Sequence, residues 1–455
     1  MDNNNKPMRV LWFANTPGLS AGYLKISLAA GGWISALQQA VEAVPACQLG
    51  FVFYAEQAMA PFEYGKTWYY PVQPLGSGKR KRLMNRIAGR AETDENLPAF
   101  LRAVEQFKPD VIHVHGTEFP FGLILREVRK IPVVVSIQGN LTVYNEKYFS
   151  GLSLPGLWRG WRTGYPFYGA DYKIWRRRME TEQEILQRAR FVFGRTDWDR
   201  RIARVLAPDA EYFHVDEVIR PRFYGLDWAA HRREGGRQEE GGGDGAGMDQ
   251  GKQEEGARGA RACREVPVFF TTSSPSIYKG FETIIDTARV LVQNGVVCEW
   301  MVAGLKADDP LVRLTLAERR LDDPAALNIR LLGTLAEWAV AEMLVSCDAY
   351  IQVSHIENSP NSVCEAMLAG VPVIASFAGG TGSLLKDGVH GVLVQDGDPY
   401  VLAGAMRELT GQPEKYAMMA AEGRRAAQRR HDPAAIVTAM LERYREIIQK
   451  NTIHG

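Results

Sequence analysis

The sequence lacks the marks of several large protein classes. No run reaches about 18 uncharged apolar residues, the length a membrane-crossing helix needs. The start, MDNNNKPMRVLWFAN, has no charged head followed by a long apolar stretch. The expectation is a chain that neither enters a secretory route nor spans a membrane. Cysteine is scarce: Cys47, Cys263, Cys298, Cys347 and Cys364 are the five among 455 residues, with no C-x-x-C. An odd, scattered set argues against a disulfide framework or a zinc site, so a reducing, cytoplasmic compartment is expected. Net charge is also small, formally +1, which gives no support for nucleic acid as a partner. The loop after the first strand carries no G-x-G-x-x-G, so a dinucleotide reading is weak there.

What is present is an ordinary globular composition, 46% hydrophobic and 24% charged, over a length that favours two domains. Strand-like and helix-like segments alternate throughout, which predicts two three-layer α/β units with mostly parallel sheets. The first unit spans residues 1–225 and the second 265–433. Residues 226–264 between them read as a flexible insert rich in Gly and Glu, unable to build a core. In such sheets ligands bind beyond the carboxyl ends of the strands.

The stretch from Val353 to Ser376 organises the second unit. Ser359 reads as a helix cap with Pro360 at the first helical position, Gly370 as the stop, and Val371 to Ala375 as a buried strand. Glu357 lies just before this helix and Glu365 inside it. A helix start offers free N–H donors and a positive dipole end, which suit a diphosphate at Asn361 and Ser362. Carboxylates would repel phosphate, so the two Glu are assigned to hydroxyl groups on either side of it. Ribose, diphosphate and sugar in a nucleotide sugar have that layout. Two solvated glutamates on a surface helix would give the same letters.

The segment E-NSPNSVC-E-AMLAGVPVIAS, Glu357 to Ser376, is followed by AGGTGSLLKDGVHGVLVQDGD and resembles the E-x7-E region of family 4 glycosyltransferases. These are retaining enzymes of GT-B fold, with two Rossmann-like doubly wound domains facing a central cleft. The likeness covers most of residues 265–450 strongly and the first 225 in outline. It implies that a C-terminal helix, residues 434–450, crosses back to the first domain. It also implies that Glu365 grips ribose, that Glu357 grips the transferred sugar, and that Lys279, in a K-G pair, faces the diphosphate. A Lys there neutralises charge as the glycosidic bond breaks. Where the family often has an Arg six residues earlier, this chain has Ser273; Arg195, Arg220 or Arg222 is expected to replace it.

Further candidates lie at strand ends of the first unit. Gly31 and Gly32 begin a helix after the first strand, and the resemblance puts them near donor phosphate; a turn needing glycine is the other reading. The strand Phe107 to Gly116 brings His115 to the cleft beside His113, and H-x-H without a third ligand gives no metal site. Gln138 and Asn140 end the next strand and are assigned to the acceptor side. The family commonly has His at Gln138, and Gln cannot relay a proton. Thr334, after Gly333, is expected to border the nucleotide base. Asp197 and Asp199 read as the first turn of a helix capped by Thr196 rather than as a metal motif.

Two segments suit interfaces. Lys79 to Arg90 carries six positive charges around Leu83, Met84 and Ile87, and reads either as a contact for an anionic membrane surface or as a solvated helix. Leu157 to Arg178 mixes aromatic and basic residues, which fits acceptor or membrane contact, or packing. The resulting expectation is a metal-independent, retaining hexosyltransferase without a cofactor, using a UDP-sugar or GDP-sugar and a glycan or lipid-linked glycan acceptor, with peripheral contact at the inner membrane face. A hydrolysing sugar-nucleotide epimerase and a non-catalytic nucleotide-sugar binding protein are the alternatives. The sequence carries no signal for oligomeric state.

Overall fold

The structure, a computed structural model, describes residues 6–25, 32–74, 79–153, 155–156, 158, 168–237 and 266–454. Gly31, Cys263, most of residues 157–167 and residues 238–265 of the expected insert lie outside the described residues.

Among the described residues, fourteen strands form two sheets. The first sheet is built from β1 (Met8–Phe13), β2 (Cys47–Tyr54), β3 (Phe62–Tyr64), β4 (Thr67–Val72), β5 (Val111–His115), β6 (Val133–Ser136), β7 (Phe191–Gly194) and β8 (Glu211–His214). Their order is β3-β4-β2-β1-β5-β6-β7-β8. The second contains β9 (Val268–Thr272), β10 (Glu299–Ala303), β11 (Ile329–Gly333), β12 (Ala349–Gln352), β13 (Val373–Ser376) and β14 (Val392–Val394). Its order is β11-β10-β9-β12-β13-β14. Every pairing is parallel except β3 with β4. The central strands read as continuous apolar runs because helices cover both their faces. In register, Val10 sits between Leu49 and Val111, all three buried. Order reverses between β1 and β5 and between β9 and β12, the switch points where such sheets hold ligands.

Three local expectations need correction. Phe107 closes the helix Leu97–Phe107, and β5 starts only at Val111, because Lys108 takes a left-handed backbone that breaks the helix before the strand can begin. The aromatic segment before residue 75, which reads from its sequence as a loop after the second strand, forms instead the hairpin β3–β4 at the sheet edge, where Phe62 stacks on Tyr69. Residues 228–237 of the expected insert form a helix. Its Trp228 is buried and donates to the Cys347 carbonyl at 2.8 Å, so the chain has already joined the second domain's core, with Ile219 and Phe223 ahead of it.

The helix Pro433–His454 packs Ile436, Val437, Met440, Leu441, Tyr444 and Ile447 into the core of the first domain. Trp12 donates to the Tyr444 hydroxyl at 3.2 Å, and His113 lies 2.5 Å from the same oxygen.

Candidate active site

The helix Asn361–Ala369 follows β12 after a buried loop, and its residues from Val363 to Ala369 are all buried. Pro360 is its N-cap. Ser359 does not cap it: its hydroxyl donates instead to the buried Glu217 carboxylate, a stronger acceptor than it would be for the helix amides. Among the described residues the amides of Asn361 and Ser362 have no hydrogen-bond partner, and the buried side-chain oxygen of Asn361 has none either. A helix start with free N–H groups is an anion site.

A carboxylate and a cation stand on each side of this helix start. Glu357 is paired with Lys279 and accepts from the Ser354 hydroxyl at 2.8 Å. Burial works to lower the Lys279 pKa, but Glu357 prevails and raises it, so the ammonium stays charged. On the other side Glu365 accepts from Arg220 at 2.8 Å and 2.7 Å in a fork. Burial raises the Glu365 carboxyl to about 7 against the pull of Arg220. Arg220 also lies 3.5 Å from Glu337, and its Cδ comes so near Gly32 that a Cβ there would sit 2.7 Å away. Arg220 thus reaches across from the end of the first domain and touches both its glycine loop and Glu365.

Other candidates stand differently. Arg195 is no free cation for phosphate: it is buried, donates to Gln138 at 2.7 Å, and lies 3.7 Å from Glu217. Asn358 links the second domain to this cluster: it donates to the Gln138 carbonyl at 3.1 Å and accepts from the Thr196 hydroxyl at 2.7 Å. Asn140 is wholly buried: its Oδ1 accepts from the Val143 amide at 2.9 Å and caps a short helix, while its Nδ2 has no partner among the described residues. Its place inside the loop after β6, one residue past the half-exposed Gln138 and Gly139, turns it inward. His115 packs against Trp12, Trp33 and His113, and burial lowers its pKa well below the ordinary value, so the ring is neutral. Its Nε2 has no partner among the described residues and borders a cavity of about 30 Å³ beside Gln138 and Arg195. Thr334 is exposed just past β11, three residues before Glu337. Thr196 and Asp199 form a capping box, and Asp197 pairs with Arg200 at 2.8 Å.

Two acids, the half-buried Glu118 and the fully buried Glu182, escaped the sequence reading. Glu118, just beyond β5, accepts from the Gly139 amide at 2.8 Å, and burial raises its pKa. Glu182 accepts from Thr117 at 2.7 Å, Leu141 at 3.0 Å and Thr142 at 2.8 Å, which ties the ends of β5 and β6 to the helix Tyr168–Arg188. Glu118 could have been suspected from its place at a strand end. Glu182 could not, because its partners are distant in sequence. His355 lies between Glu282 and Asp396, and Asp396 also meets Lys147 of the first domain at 3.3 Å. Among the described residues, Glu217, Cys364 and His431 alone bring metal-ligating atoms together, within 4.8 Å of one another. They fit a metal poorly: burial pushes the Cys364 thiol well up, Ser359 occupies the Glu217 carboxylate, and Arg195 lies beside it.

Two facing parallel-sheet domains, with a ligand-ready helix start at the second sheet's switch point, define the GT-B architecture. Residues 261–426 match the group described as "Glycosyl transferases group 1", and residues 56–215 match "Glycosyl transferase 4-like domain". Together these two matches span most of the chain and give it the domains of a family 4-type glycosyltransferase of GT-B fold. Among solved structures, sucrose-phosphate synthase from Thermosynechococcus elongatus superposes with a TM-score of 0.68 at 16% identity, covering 97% of this chain and 100% of that one. Anabaena HepE, in complex with UDP-glucose, gives 0.61 at 16% identity, covering 96% and 100%. Among curated relatives, the amylovoran biosynthesis glycosyltransferase AmsK of Erwinia amylovora is 26% identical over 29% of this chain and 33% of its own length. The D-inositol 3-phosphate glycosyltransferase of Xylanimonas cellulosilytica is 34% identical over 26% of each chain. The chain thus spans about a quarter to a third of the curated relatives it matches.

Proposed function

We propose that the protein is a retaining, metal-independent glycosyltransferase that moves a hexose-type sugar from a UDP-sugar or GDP-sugar to a glycan or lipid-linked glycan. The observation that carries this is the pair of ionic couples, Lys279 with Glu357 and Arg220 with Glu365, on either side of the unpartnered amides of Asn361 and Ser362. The diphosphate takes the amides and draws on Lys279 and Arg220. Glu365 is then released to a ribose hydroxyl and Glu357 to the sugar. HepE, solved in complex with UDP-glucose, supports a uridine donor.

In this mechanism the acceptor hydroxyl attacks the face the diphosphate leaves, and the departing phosphate takes its proton. Lys279 and Arg220 act on the charge that develops on the leaving group, where fixed cations count most. His115, neutral and buried, contributes a hydrogen-bonding nitrogen rather than a charge. Gln138, held by Arg195, offers a polar edge to sugar or acceptor hydroxyls. No metal is required to neutralise the diphosphate on this account.

The site lies in a reducing, cytoplasmic setting on this reading, with peripheral contact at the inner membrane face. The helix Lys79–Ile87 supports that contact, since Leu83, Met84 and Ile87 are exposed beside Arg80 and Arg86. Among the described residues no helix is long and apolar enough to cross a membrane. The test is product analysis by NMR after incubation with UDP-glucose, UDP-galactose or GDP-mannose and a glycan acceptor library, with and without a chelator. A new α-linked glycan formed in the presence of chelator is expected. A β-linked product, a free epimerised sugar or no turnover would refute the proposal.

A further inference from the structure

Two cavities join along the helix Tyr168–Arg188. One, of about 920 Å³, opens at the carboxyl rim of the first sheet, where Asn15, Tyr54 and Pro74 follow or end β1, β2 and β4. The other, of about 280 Å³, runs between the domains to Ser276, Ile277 and Tyr278, one residue before Lys279. Both are lined by Asp171, Ile174 and Arg178, so they form one groove that leads from the far rim of the first domain to the Lys279–Glu357 pair.

The walls of this groove are balanced in charge. The larger cavity is lined by four arginines and four carboxylates, which argues against a polyanionic occupant. Most of the arginines are already engaged: Arg86 forks onto Asp171 at 2.7 Å and 2.6 Å, Arg178 holds Glu92 at 2.6 Å, and Arg177 donates to the Gly89 carbonyl at 2.6 Å. Such pairs set guanidinium donors beside carboxylate acceptors, the mixed set that sugar hydroxyls need. Apolar faces stand among them. Arg178 lies over Phe119 at 4.8 Å, Tyr54 lines the larger cavity, and Trp175 lines the smaller beside Tyr278, at 6.1 Å. Rings of this kind pack against the C–H faces of sugars. Cavities of roughly 300–1,000 Å³ already hold drug-sized ligands. The joined groove is therefore too long for one hexose.

We infer that this groove is the acceptor site and that it takes a neutral, extended glycan of several linked sugars, its reacting end at Tyr278 and its far end near Arg90 and Ala91. The inference rests on the glycosyltransferase reading above. It assigns acceptor recognition to residues around the helix Tyr168–Arg188, well beyond Gln138.

The experiment uses the full chain, saturated with UDP, on an array of linear gluco-, galacto- and manno-oligosaccharides of one to six units, with uronic acid counterparts. Neutral tri- to hexasaccharides should be retained at least tenfold better than monosaccharides. Ala91→Trp, which fills the far end, should weaken hexasaccharide binding at least fivefold and leave UDP affinity unchanged. Arg90→Ala, at an exposed position, is the second variant and should weaken the hexasaccharide about threefold, with trisaccharides unaffected. UDP binding with no glycan retained, equal binding of mono- and hexasaccharides, preference for the uronic acids, or unchanged length dependence in both variants would overturn the groove assignment. Binding of neither UDP nor GDP by the unmodified protein would instead overturn the donor reading on which it stands.

Discussion

Lys279→Met removes a cation from a carboxylate that has little else. The Glu357 side chain is 10% exposed and Lys279 26%, so the pair is mostly but not fully withdrawn from water. Without Lys279, Glu357 keeps only the Ser354 hydroxyl at 2.8 Å among its described side-chain partners. Breaking a fully buried pair costs about 3–5 kcal/mol, and the partial exposure here lowers the expectation to about 2–3 kcal/mol. For a domain of this size each kcal/mol moves the midpoint by about 2–4 °C, so the second domain should melt roughly 4–12 °C lower. Adding Glu357→Gln removes the unpaired charge and should restore at least half of the loss, which scanning calorimetry would show. Transfer should behave in the opposite way. It should fall by about 10²–10³ in kcat for Lys279→Met and stay down in the double variant, because the cation facing the leaving group is still missing. A double variant that melts no higher than Lys279→Met, or that recovers its transfer rate, would refute the reasoning.

Gly280 has φ 75°, and an added Cβ would stand 2.2 Å from the Val353 carbonyl oxygen, between Lys279 and the strand that leads to Glu357. The left-handed backbone alone costs an alanine about 1–2 kcal/mol, and the clash adds to it. Gly280→Ala should lose about 3 kcal/mol or more in denaturant unfolding, and a loss below about 1 kcal/mol would contradict this geometry. His355 gives a pH signature. Burial tends to lower its pKa, but Glu282 and Asp396 raise it above 6.5, with Lys147 facing Asp396 from the first domain. A raised histidine stabilises below its unfolded pKa, and that contribution is lost as pH rises through the higher folded value. The midpoint of the unmodified protein should therefore fall more between pH 6 and 8 than that of His355→Gln; equal slopes would sink the assignment.

Much of this architecture was legible because it is local. The apolar run of β13, the stop at Gly370 and the Thr196 capping box each follow from a few neighbouring residues. Glu357 and Glu365 were legible because they stand eight residues apart around the start of one short helix. What the sequence withheld is long-range. Ser359 has the letter of a cap, but a carboxylate more than a hundred residues away competes for its hydroxyl. Arg195 and Arg220 looked equivalent, and only the packing separates them: one is walled in by Gln138 and Glu217, the other reaches Glu365. Asn140 looked like a strand-end ligand, yet the amide it caps turns it inward. Trp228 lay in a stretch whose later composition suggested no core, and its indole found one on the second domain. The groove is the extreme case, since its walls come from segments between Asn15 and Tyr278 that no motif links.

The central claim is that Glu365, freed from Arg220, grips the ribose of a nucleotide whose diphosphate sits on the helix start without metal. Calorimetric titration of UDP and GDP into the unmodified protein and into Glu365→Ala, each with and without a chelator, tests it most directly. A charged hydrogen bond contributes about 1.5–3 kcal/mol, so the substitution should weaken one nucleotide by about tenfold to more than a hundredfold. The account predicts micromolar binding of that nucleotide to the unmodified protein, unchanged by chelator. Binding of neither nucleotide, binding that needs metal, or an equal affinity for Glu365→Ala would contradict it.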